Sequence, residues 1–141
     1  MGVGWAMTLQ VIGRWLAALF FILAGLNHFR DPALYLSMMP PWVPWPDLLQ
    51  KMAGAAEVAG GIGILIPPLR RMAGWGLLLL LVAVFPANLH LALHGWPEAP
   101  AAIAPWVLWA RLPLQLGFAA WVWWSCLSER RPEDSRHAPV S

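Results

Sequence analysis

Leu16-Ala17-Ala18-Leu19-Phe20-Phe21-Ile22-Leu23 is an unbroken apolar run. It sits at the centre of a longer segment, residues 8–28, with the length a membrane-crossing helix needs, about 20 mostly apolar residues. Three further segments have the same character: residues 47–66, rich in small side chains, residues 71–94, and residues 105–127. Together the four use most of the chain and leave no room for a fifth. The fold read from this pattern is all-α, an integral membrane four-helix bundle. Residues 1–127 make one transmembrane domain, and residues 128–141 a polar, disordered cytoplasmic tail.

Charge agrees with that reading. Only 11% of the 141 residues are Asp, Glu, Lys or Arg, against 60% apolar; a soluble domain carries roughly 25% charged residues. Six of the sixteen charges fall in residues 129–141, so ten serve everything before them. This excludes a soluble globular enzyme and a disordered chain. A nucleic-acid binder is excluded as well, because the basic residues form no stripe. The net charge is only +2.

Breaks between the segments have turn chemistry. Pro67-Pro68 ends the second, since proline lacks the donor and restricts the residue before it. Gly95-Trp96-Pro97 ends the third. Residues 31–46 hold five prolines. There Asp31 before Pro32 reads as an N-cap with proline at the first helical position, predicting a short interfacial helix over residues 33–39. The first segment lacks an early basic region and a small-residue cleavage site, so it reads as retained rather than as a signal peptide.

Orientation follows the arginines and lysines of the flanks. With a cytoplasmic N-terminus, the inside carries Arg14, Arg70, Arg71, Arg130, Arg131 and Arg136, and the outside Arg30 and Lys51. The expected location is a bacterial inner membrane, multi-pass, with both termini cytoplasmic. Arg14 is expected to snorkel to the inner interface. The eleven tryptophans fall near the two interfaces, as aromatic belts do.

Polar residues inside the spans carry the functional signal, because a charge at the bilayer centre costs about 2.5–3.5 kcal/mol even on insertion scales. Glu57 lies roughly 15 Å into the second helix at 1.5 Å per residue. Its face carries Ala53, Gly54, Gly60 and Gly61, which let a neighbouring helix approach. Arg111, roughly 8–9 Å deep in the fourth helix, is its candidate counter-ion. Gln115 is one turn further on, Asn88 lies at similar depth in the third helix, and Asn27 and His28 close the first. All four helices thus place polar groups in the outer half. That coincidence reads either as one pocket or as a hydrogen-bonded staple that fixes helix register. Pro86 and Pro113 flank Asn88 and Arg111 and free the carbonyls of Val82 and Trp109. His90 and His94, at i,i+4, are the nearest approach to a metal-ligand spacing; no metal site is assigned.

The lone cysteine, Cys126, forms no internal disulfide and excludes CxxC disulfide chemistry. The segments Ala24-Gly25-Leu26-Asn27-His28-Phe29, Met39-Pro40-Pro41-Trp42-Val43-Pro44, Gly54-Ala55-Ala56-Glu57-Val58-Ala59-Gly60-Gly61, Phe85-Pro86-Ala87-Asn88 and Arg111-Leu112-Pro113-Leu114-Gln115 resemble the DoxX family of bacterial membrane proteins. The resemblance covers all four helices. It implies a four-helix bundle in which His28, Glu57, Asn88, Arg111 and Gln115 match family positions. Some relatives are membrane subunits of thiosulfate:quinone oxidoreductase, and more distant kin are assembly chaperones.

Three functions fit. One is a quinone-linked oxidoreductase subunit with Glu57, His28 and Arg111 as catalytic residues and Asn27, Asn88, Gln115 and His90 as ligand contacts. Quinone is then the cofactor expected. The second is a non-enzymatic binding or assembly protein whose glycine-rich face meets a membrane-protein partner or a second copy. The third is a carrier of small anions with Arg111 as contact. The lipid bilayer is a partner in all three.

Overall fold

A computed structural model describes residues 2–101 and 103–128. The segment read as a disordered tail lies, apart from Ser128, outside the described residues. Five helices, and no strand among the described residues, make up the chain: α1 (Gly2–Arg30), α2 (Pro32–Met38), α3 (Pro46–Gly63), α4 (Arg70–His94) and α5 (Pro105–Val122), the last continuing into a π-helical turn (Trp123–Leu127).

Local chemistry sets the ends. Asp31 accepts the Leu34 N–H at 3.2 Å and Pro32 opens α2, as an N-cap followed by proline does. Met39, before Pro40, leaves the helix in an extended conformation. Prolines also open α3 and α5. Gly95 ends α4 at φ 77°, a left-handed value that favours glycine. Both α4 and α5 run on through Pro86 and Pro113.

Two stretches, Gly4–Arg30 and Arg70–His94, are long and apolar enough to cross a membrane. The other two expected spans do not reach that standard. Helices α3 and α5 have 18 residues each, about 27 Å at 1.5 Å per residue; α3 carries Asp47, Lys51 and Glu57, and α5 carries Arg111 and Gln115. The outward surface is apolar all the same: Leu79, Val82 and Leu116 are 70%, 69% and 68% exposed.

Packing runs α1 to α3 to α4 to α5, with α2 laid across the end of α1 and α3. The α1–α3 contact is the closest. A Cβ on Gly25 would lie 2.5 Å from the Gly54 carbonyl oxygen, and one on Gly61 would lie 3.0 Å from that of Ala18. The backbones therefore touch where a larger residue would hold them apart. Gly60 points elsewhere, at Leu77 of α4. Two apolar clusters form. One gathers Ala17, Phe21, Ile64, Leu77, Val122 and Cys126. The other joins Leu91, Trp96 and Leu108 with Leu34 and Met38 at the α2 end.

Arg14 departs from expectation. It does not snorkel: it is 5% exposed, and its guanidinium donates to the Ser125 carbonyl from Nε at 3.1 Å and Nη2 at 2.8 Å. Helix C-termini leave carbonyls without intrahelical partners and carry partial negative charge. The π turn ends α5 beside α1, so the acceptor lies inside the protein. Arg71 Nη1 takes the Leu127 carbonyl at 3.2 Å in the same way. Arg14→Met is expected to lower stability by about 1–3 kcal/mol by leaving a buried acceptor unpaired, read as thermal unfolding in detergent. Arg14→Lys should recover only part of the loss, because an ammonium lacks the fork.

Two tryptophans tie elements together. Trp96 is buried and its Nε1–H donates to Ser37 Oγ at 3.1 Å, fastening α2 to the α4–α5 loop. Trp121 donates to the Gly13 carbonyl at 3.0 Å, fastening α5 to α1.

Candidate functional site

Between the two apolar clusters lies a cavity of about 310 Å³. His28 from α1, Glu57 from α3, Asn88 from α4, and Arg111 and Gln115 from α5 all line it. The structure thus brings together five of the polar positions that the sequence placed in one half of the helices. The remaining wall is mostly apolar, including Phe20, Phe21, Leu81, Leu114 and Phe118.

One wall is a directed hydrogen-bond chain. Arg111 donates to Asn88 Oδ1 from Nη2 at 3.1 Å and from Nε at 3.3 Å. Asn88 Nδ2 donates to Gln115 Oε1 at 2.9 Å. Gln115 Nε2 donates to the Leu81 carbonyl. The chain crosses between α4 and α5 three times and fixes the guanidinium plane. It ends at Leu81, one residue before the Val82 carbonyl that Pro86 leaves without its intrahelical donor. Arg111 Nη1 reaches Met38 Sδ at 3.6 Å, a weak acceptor.

The part of the lining supplied by α1 and α3 is acid–base in character. His28 Nε2 lies 3.6 Å from Glu57 Oε2. The sequence nominated Arg111 as the partner of Glu57; in the structure His28 takes that place and Arg111 pairs with Asn88 instead. The reason is helix rotation. Gly54, one turn before Glu57, lets the α1 backbone in so closely that a Cβ there would sit 2.5 Å from His28 Cβ. The histidine is therefore the first group that Glu57 meets.

Tyr35 stacks on the His28 ring, centroids 3.6 Å apart, and its hydroxyl accepts from Asn27 Nδ2 at 3.1 Å. Asn27 is not among the lining residues; it holds Tyr35. His90 also stands outside, between Trp42 and the stacked ring of His94. Among the described residues no group of three or more His, Cys, Asp or Glu could hold a metal ion.

Among the described residues, four buried side-chain polar atoms have no hydrogen-bond partner: His28 Nδ1, Glu57 Oε2, and both amide atoms of Gln50. Gln50 is fully buried, with its amide beside the His28 ring but outside ordinary hydrogen-bond geometry. Buried polar groups are nearly always paired; His28 and Glu57 line the cavity and Gln50 stands behind His28, outside the lining.

Sequence reasoning missed Tyr35, Met38 and Gln50. Gln50 had a signal, since it precedes Gly54 by four residues and Glu57 by seven, on one helical face. Tyr35 and Met38 had only the spacing of α2, which says nothing of where that helix docks.

The profile of a family described as a domain of unknown function (DUF8561) matches residues 16–126. The chain belongs to that family. The match takes in the whole cavity lining, from Phe20 to Phe118. No curated protein and no solved structure matches the chain. In this chain the matched segment frames a cavity lined by a fixed cationic donor, Arg111, and by a carboxyl–imidazole pair, Glu57 and His28.

Proposed function

We propose that this DUF8561 protein is a DoxX-like integral membrane protein whose four long helices cross a bacterial inner membrane, and that its cavity receives the headgroup of a quinone as part of a quinone-linked oxidoreductase. The apolar outward surface supports the membrane reading, since soluble monomers rarely expose contiguous apolar patches of more than a few hundred Å². The arginine distribution supports cytoplasmic termini, with the α2 end facing outward.

One observation carries the functional reading: a largely apolar cavity that sets Arg111 against the Glu57–His28 pair. A quinone ring has an apolar body and oxygens at opposite ends. Arg111 suits one oxygen as a hydrogen-bond donor. Glu57 and His28 suit the other, where protons are taken or given when the ring changes oxidation state. The volume lies at the lower end of the roughly 300–1,000 Å³ typical of ligand pockets, enough for a headgroup with its tail in lipid.

The assembly reading has less support. It needs the glycine face of α3 free for a partner, yet Gly54 and Gly61 are taken by α1 and Gly60 by Leu77.

Equilibrium binding of a short-chain quinone analogue to protein in lipid nanodiscs tests the proposal. Saturable binding is expected, weakened about tenfold or more (about 1.4 kcal/mol) by Glu57→Gln while thermal stability stays close to that of the parent. Absence of saturable binding overturns the quinone reading. A Glu57→Gln variant that loses yield and stability but binds the analogue normally marks the pair as a staple.

A further inference from the structure

We propose that the cavity selects amphipathic monoanions, ligands with one ionised oxygen on an apolar body, and that Arg111 is the group that selects them. The inference rests on the cavity being a ligand site and adds the charge of what it takes.

Arg111 is a partly buried cation whose partners are all neutral. Two of its donors converge on one amide oxygen, Asn88 Oδ1, and a third meets a thioether, Met38 Sδ. A guanidinium away from water needs an opposing charge to offset its lost hydration. Glu57 is the one carboxylate lining the cavity, and it faces His28. Among the described residues no acidic side chain is hydrogen-bonded or ion-paired to Arg111, so the acceptors it meets directly are neutral.

Geometry says where the match belongs. Asn88 engages the Nε and Nη2 edge of the guanidinium from the α4 side, and Gln115 holds Asn88 in turn. The Nη1 group is left with the weakest of the acceptors. An ionised oxygen replacing that thioether makes a charge-assisted bond to a donor already fixed in orientation. One cationic group in a largely apolar cavity that also holds Glu57 suits one negative charge, placed at Arg111, and an apolar remainder; a dianion would bring a second negative charge into a cavity with a carboxyl group already in it.

The test measures equilibrium binding of three probes to protein in nanodiscs near neutral pH, each corrected for uptake by protein-free nanodiscs. The probes are a hydroxynaphthoquinone, ionised at that pH, its methyl ether, which keeps the ring but cannot ionise, and decanoate. The ionised quinone is expected to bind at least about tenfold more tightly than the ether, about 1.4 kcal/mol. Arg111→Gln is expected to erase that preference, and Arg111→Lys to keep part of it. Equal binding of acid and ether to the parent protein overturns the inference and leaves the quinone reading standing. A preference that survives in Arg111→Gln also overturns it. Binding of decanoate with neither naphthoquinone upholds the anion preference and removes the quinone reading. No saturable binding of any probe overturns both. The anion preference is read on the unmodified chain, and its assignment to Arg111 on the acid-to-ether ratio within each variant, which a smaller folded fraction does not change.

Discussion

Gly54→Ala is expected to destabilise the protein by about 1–3 kcal/mol, the usual penalty for forcing atoms into a packed interior. The new Cβ would lie 2.5 Å from His28 Cβ and 2.9 Å from the Gly25 carbonyl oxygen. Neither is the end of a flexible chain, so α1 and α3 must move apart. That shift carries His28 away from Glu57 and changes the cavity, so ligand binding should fall along with stability. Gly76→Ala is the control. A Cβ there meets nothing within 4 Å, and alanine is favoured over glycine in a helix interior by about 0.5–1 kcal/mol. The two substitutions, identical in chemistry, should shift the midpoint of thermal unfolding in detergent in opposite directions. A Gly54→Ala protein as stable as its parent would mean that the helices do not approach as described.

Asn88→Leu should have the largest effect on the site itself. Asn88 accepts two bonds from Arg111 and donates one to Gln115, so a single substitution releases both ends of the chain. Stability is expected to fall by about 1–3 kcal/mol, the cost of leaving buried polar groups unpaired. Ligand affinity should fall further than in Gln115→Ala. Asn88 holds Arg111 directly, whereas Gln115 acts through Asn88. Parallel unfolding and binding measurements on the two variants separate these contributions. Equal binding losses would argue that the Arg111 orientation does not depend on Asn88.

Much of the helical plan was legible because it is set by local chemistry. The Asp31-Pro32 pair predicted α2 within a residue at either end, since an N-cap and a fixed proline φ act within one turn. Pro67-Pro68 and Gly95 marked the breaks on either side of α4 for the same reason. The start of α1 was not legible: the apolar run marked a span from about residue 8 but no helix limit, and the helix begins at Gly2, where no capping residue or proline marks the end. The gathering of His28, Glu57, Asn88, Arg111 and Gln115 in one half of the helices was also readable by counting residues, but that count left a pocket and a staple both open; the cavity they line is seen only in the structure.

Pairing within that cavity was not readable. Depth along a helix follows from counting residues, but rotation and interaxial distance do not. The Gly25–Gly54 contact fixes both for α1 and α3, and with them the choice of His28 over Arg111 as the neighbour of Glu57. Arg14 failed for a related reason. Its depth suggested snorkelling, yet the acceptor that buries it is a carbonyl of the π turn more than a hundred positions away.

The sequence by itself determined an apolar all-helical chain, the limits of most of its helices and the level at which its polar groups gather, because composition and capping act over a few residues. Only the tertiary structure decided that Arg14 is a buried tie, that α2 lays Tyr35 and Met38 against the cavity, and that Arg111 meets neutral partners while Glu57 meets His28. Those outcomes depend on which faces touch, and backbone contact between small residues on different helices sets the faces.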